Sequence, residues 1–549
     1  MKELAKATGA SGLWTAAMPS ISMRAAGRCG EATKGPRSAS FRYDARCRGA
    51  RNAVRGRPPP RKTGRPAGNP AAVAECAMSE LIISVSGLRG IVGDSLTPEA
   101  ALRYVAAFAQ ELSTPGPIVL SRDGRATGRM IADLVRGALC AAGRDVIDAD
   151  IAATPTTGVL VRRYQAAGGI QVSASHNPLE YNGIKLFDPA GQVLTAAAGQ
   201  PILQRYREFA AAGNPPATRD PRESRSAHDG TRPSWVGHQR VGRVATCADT
   251  LSDHLGLVAA TVNGQRIREC GFTVLLDSNH GAGSLLGRHL LESLGCRVVL
   301  IGGEPDGRFA HRPEPTAENL VGIAPLVPHH GAIVGFCQDP DADRLAVMDE
   351  AGNYLGEEYT LALCLDHVLR TRRGPVAINC ATSRMSADVA ARHGSACYRA
   401  AVGEANVVAE MRARKAVFGG EGNGGPIDPK VGYVRDSFVG MALILDALAE
   451  RQIRISEWVR ELPRYAIRKT TVPVAAASLR AAFESLRRRF PEAAIDELDG
   501  MRLDWPDRWL LVRASNTEPI VRLIVEAPDP ADAEQLRDTA AETLAPFSG

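Results

Sequence analysis

Short β-rich runs alternate with Ala- and Leu-rich helical stretches from residue 81 onward, and this alternation predicts an α/β protein of several domains. The length agrees: 549 residues leave room for three or four domains with ample core. A hydrophobic content of 44% with 23% charged residues is ordinary for a soluble globular protein, and no apolar run approaches a membrane span. No membrane partner is expected.

The first 77 residues stand apart. They hold fifteen Lys or Arg against four acids, a surplus of 11, so a formal net charge of +6 leaves the remainder at −5. The stretch "RCRGARNAVRGRPPPRKTGRPAGNP" has no sustained apolar period, so residues 1–77 are expected to be a disordered basic extension. A transit peptide, a nucleic-acid arm and upstream sequence foreign to the native protein all fit that composition. The third is favoured because Met78 directly precedes the first convincing strand, "ELIISVSG", so no nucleic-acid partner is expected.

Beyond it, "GPIVLSRDG" precedes "TGRMIADLVRGALCAAG", "FTVLLDSNHG" precedes "AGSLLGRHLLESLG", and "PVAINCA" precedes "TSRMSADVAARHG". Each is a strand followed by a helix whose start carries Gly, Ser or Thr. The unit recurs without a residue-level repeat, which suggests related α/β domains. A Pro-, Arg- and Ser-rich region at about 213–248 reads as a mobile loop or boundary, with further boundaries near 350 and 458. The divisions are therefore 78–248, 249–350, 351–458 and 459–549. The last reads as a small α+β domain with strands in "WLLVRAS" and "IVRLIVEA". Eleven cysteines without CxxC pairs point to reduced thiols in the cytoplasm, with no structural zinc.

Four stretches carry chemistry. In "GGIQVSASHNPLEYNGIKLF" an apolar run ends in a tight loop that displays Ser175, a candidate nucleophile. No Gly-x-Ser-x-Gly elbow surrounds it, and His176 as an immediate neighbour is better placed to orient the loop than to take its proton. Alone, such a quartet is more often a self-capping turn. In "GAIVGFCQDPDADRLAVMD", Asp339, Asp341 and Asp343 recur at every second position between two apolar runs, so one loop can turn three carboxylates toward a hard cation, and Mg²⁺ is the natural choice. An EF-hand reading fails because Arg344 stands at position six, where glycine is needed, and the flanks read as strands. An aspartyl phosphatase using Asp341 or Asp343 stays open.

The third stretch, "FGGEGNGGPID", sets Glu421 and Asn423 among glycines, which lets backbone and carboxylate approach sugar hydroxyls. The fourth, "LLVRASNTEPIVRL", ends a strand in Arg513 and follows it with Ser515, Asn516 and Thr517, a set suited to a phosphate dianion.

Together and in this order, "SASHNP", "DPDADR", "GGEGNGG" and "RASNTEP" resemble the α-D-phosphohexomutase superfamily, with further matches at "SGLRG", "SRDGRATG", "NGIKLF" and "HRPEPTAENL". The resemblance spans about residues 79–545 and implies four domains around a central cleft, three related α/β domains with mixed sheets plus a C-terminal α+β domain, each giving one loop. It implies a phosphoserine at Ser175 and interconversion of hexose 6-phosphate and hexose 1-phosphate through a hexose 1,6-bisphosphate, which also serves as activator. One Mg²⁺ per chain would be held by Asp339, Asp341, Asp343 and the phosphoserine, with Arg344 beside the phosphoryl oxygens. Glu421 and Asn423 would grip the sugar, while Arg513, Ser515, Asn516 and Thr517 would hold the other phosphate. Lys185 and His311 are the proton-transfer candidates, with Arg89 lining the pocket. The partner is a phosphosugar, and a monomer or homodimer is expected.

Four positions depart from the usual pattern: Pro340 and Ala342 stand where many relatives carry glycine, Val85 replaces threonine, and Ser437 replaces glycine. Asn423 stands where many members have serine, and "GGEGNGG" together with "HRPEP" and "SNTEP" looks most like the phosphoglucosamine mutase branch. Phosphomannomutase or phosphoglucomutase activity is the alternative.

Overall fold

Residues 81–84, 87–212, 232–515 and 520–548 are described by the computed structural model. The basic extension, Val85, much of the Pro- and Arg-rich stretch after 212, and Asn516 and Thr517 lie outside the described residues.

Among the described residues twenty strands form four sheets. The first contains β1 (Ile82–Ser84), β2 (Gly87–Ile91), β3 (Ile118–Arg122), β4 (Val146–Ile151), β5 (Gly168–Val172), β6 (Tyr181–Phe187) and β7 (Val244–Thr246), in the order β1-β2-β6-β5-β3-β4-β7. The second contains β8 (Thr273–Asp277), β9 (Arg297–Ile301), β10 (Val334–Gln338) and β11 (Leu345–Met348), ordered β11-β10-β8-β9. The third contains β12 (Val376–Asn379), β13 (Cys397–Ala400), β14 (Phe418–Glu421) and β15 (Gly425–Ile427), ordered β13-β12-β14-β15.

One strand plan recurs in these three sheets. A first strand (β3, β8, β12) has the next strand parallel on one side and the third parallel on the other, and the fourth returns antiparallel as a hairpin. Helices connect the parallel strands, as parallel pairing requires. The third-to-fourth turn of each sheet holds Ser175, the three aspartates, and the glycines after Glu421, respectively. The duplication that residue identities hide is therefore plain in the strand order.

Helices on both faces explain the sequence of the central strands. β5 (GGIQV), β10 (VGFCQ), β12 (VAIN) and β14 (FGGE) are buried along their whole length, which favours apolar runs over alternation. The second and third sheets share one core, in which Leu276, Phe336, Leu361, Phe438, Met441 and Leu445 pack together. The helix Ser437–Arg451 lies inside it, buried from Ser437 to Ala449, as expected of a helix apolar on every side. Each such Leu or Phe contributes about 1.5–3 kcal/mol on burial.

The last sheet differs. It is wholly antiparallel, β16 (Ala466–Pro473), β17 (Ala494–Asp496), β18 (Met501–Asp504), β19 (Trp509–Ala514) and β20 (Ile520–Ala527), ordered β16-β20-β19-β18-β17, with helices Leu479–Arg489 and Pro530–Leu544 packed on its core. Among the described residues no helix is long and apolar enough to cross a membrane, and all eight cysteines are free.

Candidate active site

The turn after β5 is held by an arginine that crosses beneath it. The Arg125 guanidinium, fully buried, donates to the carbonyls of Ser175 (2.7 Å), Asn177 (2.6 Å), Pro178 (2.6 Å) and Tyr181 (3.0 Å) and pairs through Nε with Asp123 at 3.1 Å. Asp123 in turn accepts from Ser173 Oγ at 2.7 Å, and Ser173 Oγ accepts from the Ser175 amide at 2.8 Å. This clamp keeps Ser175 at φ 50°, a left-handed conformation that costs a non-glycine residue about 1–2 kcal/mol. A serine so held has one place to point. Its hydroxyl donates to Asp339 Oδ2 at 2.8 Å and lies 3.3 Å from His176 Nδ1. Burial pushes His176 down to about 2, helped by Arg344 and Arg89, so its ring is neutral.

Asp339, Asp341 and Asp343 are all fully buried, with carboxylate oxygens within 4.8 Å of one another. Unit charges that close repel by roughly 3–4 kcal/mol per pair at an effective dielectric of 20. Burial pushes Asp339 well above the usual carboxylate range, and Asp341 and Asp343 push the same way. Burial also raises Asp341, but Lys185 and the bonds from Thr154 and Lys185 outweigh it and hold that carboxyl well below the usual range. Lys185 Nζ lies 2.9 Å from Asp341 Oδ2 and 3.1 Å from Asp343 Oδ2, and Thr154 Oγ1 donates to Asp341 Oδ2 at 2.6 Å. Burial alone would lower the Lys185 pKa, yet Asp341, Asp343 and Glu404 raise it, so the ammonium stays charged.

The other oxygens, Oδ1 of Asp341 and Oδ1 of Asp343, are buried with no hydrogen-bond partner among the described residues. Buried acceptors are rarely left so. An oxygen-only set with two unclaimed acceptors fits a hard divalent cation, and Mg²⁺ in particular, which completes its shell from water and phosphate.

Two of the four departures, Ala342 and Ser437, meet here. Ala342 sits at φ 56°, where glycine is commoner, and its carbonyl accepts from Ser437 Oγ at 2.7 Å while Ser437 Oγ accepts from Gln338 Nε2 at 2.8 Å. The hydroxyl of Ser437 thus ties the third-sheet helix to the aspartate turn.

The turn after β14 is built differently. Glu421, buried, accepts from Asn379 Nδ2 at 2.7 Å and the Gly403 amide at 3.1 Å, and its second oxygen lies 3.1 Å from Arg435. Asn423 lies 3.5 Å from Glu421, and its Oδ1 is a buried acceptor with no partner among the described residues. Gly422 leaves room for the Glu358 carboxylate, whose Oε2 would lie 1.8 Å from a Cβ there. Glu421, Asn423 and Glu358 face Lys469 and Arg522 across a cavity of about 400 Å³ between the third and fourth sheets.

The remaining candidates scatter around this centre. Arg89 donates to Asn177 Oδ1 at 2.6 Å and is lowered by burial. The Arg344 amide donates to Asp339 Oδ1 at 3.1 Å, and its guanidinium is 3.7 Å from Glu314. His311 pairs with Asp277 at 2.8 Å through Nε2 and with the Arg312 carbonyl at 2.8 Å through Nδ1. Burial lowers its pKa, but these partners outweigh it and raise it. Arg513 pairs with Asp499 at 2.8 Å and stands opposite Arg522 in the sheet, while the Ser515 amide donates to the Ile520 carbonyl at 2.9 Å.

Sequence reasoning assigned no role to Arg125, Thr154, Glu404, Arg435, Lys469 or Arg522. Arg125 lies in "SRDGRATG" and Arg522 in "LLVRASNTEPIVRL", both quoted stretches, but a lone charge gives no sign of the partners it will meet.

Comparison with known proteins places the chain. The models of phosphoglucomutase/phosphomannomutase α/β/α domains I, II and III match residues 81–211, 252–352 and 356–465, and that of the C-terminal domain matches 470–543. A phosphoglucomutase/phosphomannomutase of Thermococcus kodakarensis is 34% identical over 467 residues, covering 83% of this chain and 97% of that relative. A probable phosphoglucosamine mutase of Methanosarcina acetivorans is 32% identical over 449 residues, covering 81% and 95%. The crystal structure of a phosphoglucomutase/phosphomannomutase family protein from Burkholderia thailandensis shares the fold, with a TM-score of 0.71 at 24% identity over 84% of this chain and 98% of that one.

Proposed function

The chain belongs to the phosphoglucomutase/phosphomannomutase family, and we propose that it interconverts hexose 6-phosphate and hexose 1-phosphate through a phosphoserine at Ser175, with glucosamine 6-phosphate as the preferred substrate. The observation that carries this reading is Ser175, whose carbonyl Arg125 holds and whose hydroxyl donates to Asp339 at 2.8 Å beside two carboxylate oxygens without a hydrogen-bond partner among the described residues.

In the first half-reaction the bond from phosphorus to Ser175 Oγ breaks as one forms to O1 of the sugar, giving a hexose 1,6-bisphosphate. After reorientation the 6-phosphate returns to Ser175. Such transfers depend mainly on positioning and charge neutralisation. Asp339, Asp341 and Asp343 would hold Mg²⁺, which when bound offsets charge on the phosphoryl oxygens. Arg344, Arg89 and the neutral His176 surround the same oxygens. Each transfer also relocates protons: in the first, the attacking O1 hydroxyl loses one and Ser175 Oγ gains one; in the return, Ser175 Oγ loses one and O6 gains one. Lys185, kept protonated among its acids, suits the donor to the leaving oxygen; His311 is the candidate acceptor, and since its Nε2 and Nδ1 face Asp277 and the Arg312 carbonyl it would have to give up one of these bonds to take the proton.

Glu421 and Asn423 would bind the sugar hydroxyls, and Arg513, Ser515, Asn516 and Thr517 the distal phosphate. The unpartnered Oδ1 of Asn423 can accept from a 2-amino group as from a 2-hydroxyl, so the preference for the amino sugar rests on the similarity to relatives named phosphoglucosamine mutase. We assign the four domains to 78–248, 249–350, 351–458 and 459–549, and the protein to the cytoplasm, in keeping with its free thiols.

The test is a ³¹P NMR assay with Mg²⁺ and a trace of the matching hexose 1,6-bisphosphate, offering glucosamine, glucose and mannose 6-phosphates separately. A 1-phosphate signal that disappears in Ser175→Ala, and is fastest for glucosamine, is expected. Inorganic phosphate as the sole product would mean a phosphatase instead.

A further inference from the structure

One guanidinium joins the aspartate turn to the glycine turn. Arg435 NH2 lies 2.7 Å from Asp343 Oδ2, NH1 lies 3.1 Å from Glu421 Oε2, and Nε lies 3.3 Å from Glu404 Oε2, while its backbone amide donates to Glu404 at 2.8 Å. The side chain is buried and reaches these acids past Gly425, where a Cβ would come within 2.3 Å of its Cδ. The flanking residues fix the segment on both sides. Asp436 caps the following helix and pairs with His254 at 2.7 Å, and Ser437 holds the Ala342 carbonyl. The turns also touch directly, with the Leu345 amide donating to the Gly424 carbonyl at 2.8 Å.

We propose that Arg435 couples the two sites, so that a divalent cation at the aspartates and a sugar phosphate at Glu421 each tighten the other's binding. The inference rests on the reading given under Proposed function. Its physical basis is that one guanidinium serves three buried carboxylates, of which Asp343 also has Lys185 at 3.1 Å. Without a metal, Asp343 draws on the guanidinium in competition with Glu404 and Glu421. A divalent ion supplies charge to Asp343, so more of the Arg435 charge is available to hold Glu421 in place at 3.1 Å, ready to accept from sugar hydroxyls. Linkage then requires the reverse effect in equal measure. Arg435 touches neither phosphoryl group nor sugar in this scheme; it is a positioning residue.

Calorimetry with the 1,5-anhydro analogues of glucosamine 6-phosphate and glucose 6-phosphate tests this, because they lack the O1 hydroxyl and cannot turn over. In the full-length protein, Mg²⁺ in place of EDTA should tighten analogue binding roughly tenfold, within the usual range of coupling between sites. Mn²⁺ affinity followed by electron paramagnetic resonance should rise by the same factor when analogue is present. In Arg435→Gln the ratio should fall to within about twofold. Arg435→Lys keeps the charge but spans fewer acids, and should give an intermediate ratio; it decides the matter if the Gln variant does not fold. Full coupling retained in either folded variant overturns the proposal. Analogue binding that ignores metal in the unaltered protein overturns it alone, whereas no binding of either analogue overturns the mutase reading as well.

Discussion

The turns after β10 and β14 occupy the same place in two sheets of identical strand order, yet they solve opposite electrostatic problems. The first gathers three buried carboxylates and leaves two of their oxygens without a hydrogen-bond partner among the described residues. The second buries a single carboxylate, Glu421, and satisfies both of its oxygens with Asn379, the Gly403 amide and Arg435. Topology therefore supplies a location at the mouth of the cleft, and local charge balance decides what each location binds. An under-compensated turn calls for a cation; a compensated one can spare its carboxylate for hydroxyl groups.

The largest effect should come from removing charge on the crowded side. Asp339→Asn takes away the carboxyl whose ionised form burial and its neighbours most oppose. Metal affinity should fall about 100-fold or more, near 3 kcal/mol, while the metal-free protein becomes more stable by about 1 kcal/mol, read by calorimetry and by thermal unfolding in EDTA. The same change in the second turn should have the opposite sign. Glu421→Gln leaves Arg435 short of a partner and should destabilise the metal-free protein by about 1–3 kcal/mol. Equal signs for the two variants would break the comparison.

A smaller contrast lies in the left-handed residue of each turn. Gly424 (φ 84°) admits no side chain, since a Cβ would lie 2.5 Å from the Leu345 carbonyl oxygen, so Gly424→Ala should cost about 1–3 kcal/mol. Ala342 already carries its Cβ at φ 56°, and Ala342→Gly should shift stability by less than about 1 kcal/mol. Chemical denaturation of the pair measures both. The smallest effect concerns His311, whose pKa Asp277 and the Arg312 carbonyl raise. Its stabilising contribution is present below its unfolded value of about 6.5 and is lost as pH rises through the higher folded value. Histidine NMR should show that raised titration, and Asp277→Asn should lower it.

Much of this was legible in the chain. Ser175, the three aspartates and Glu421 lie in short local motifs at strand ends, and such motifs survive translation into sequence. The alternation of strands and helices predicted the α/β class, and the four domain matches agree with it. The repeat was hidden because it resides in strand order, which many apolar sequences satisfy equally well. Arg435 and Thr154 were hidden for another reason: each meets the aspartates across 92 and 187 residues of chain, and nothing local marks a charge or hydroxyl as destined for burial. Arg125 sat inside a quoted motif without a role, because its four partners are backbone carbonyls, which every residue has.

The account turns on where the phosphoryl group rests on the enzyme. Incubation with radiolabelled hexose 1,6-bisphosphate, followed by peptide mapping, locates it. An acid-stable label on the peptide containing Ser175, absent from Ser175→Ala, is the predicted result. A label released by hydroxylamine and mapping to the peptide with Asp341 and Asp343 would contradict it.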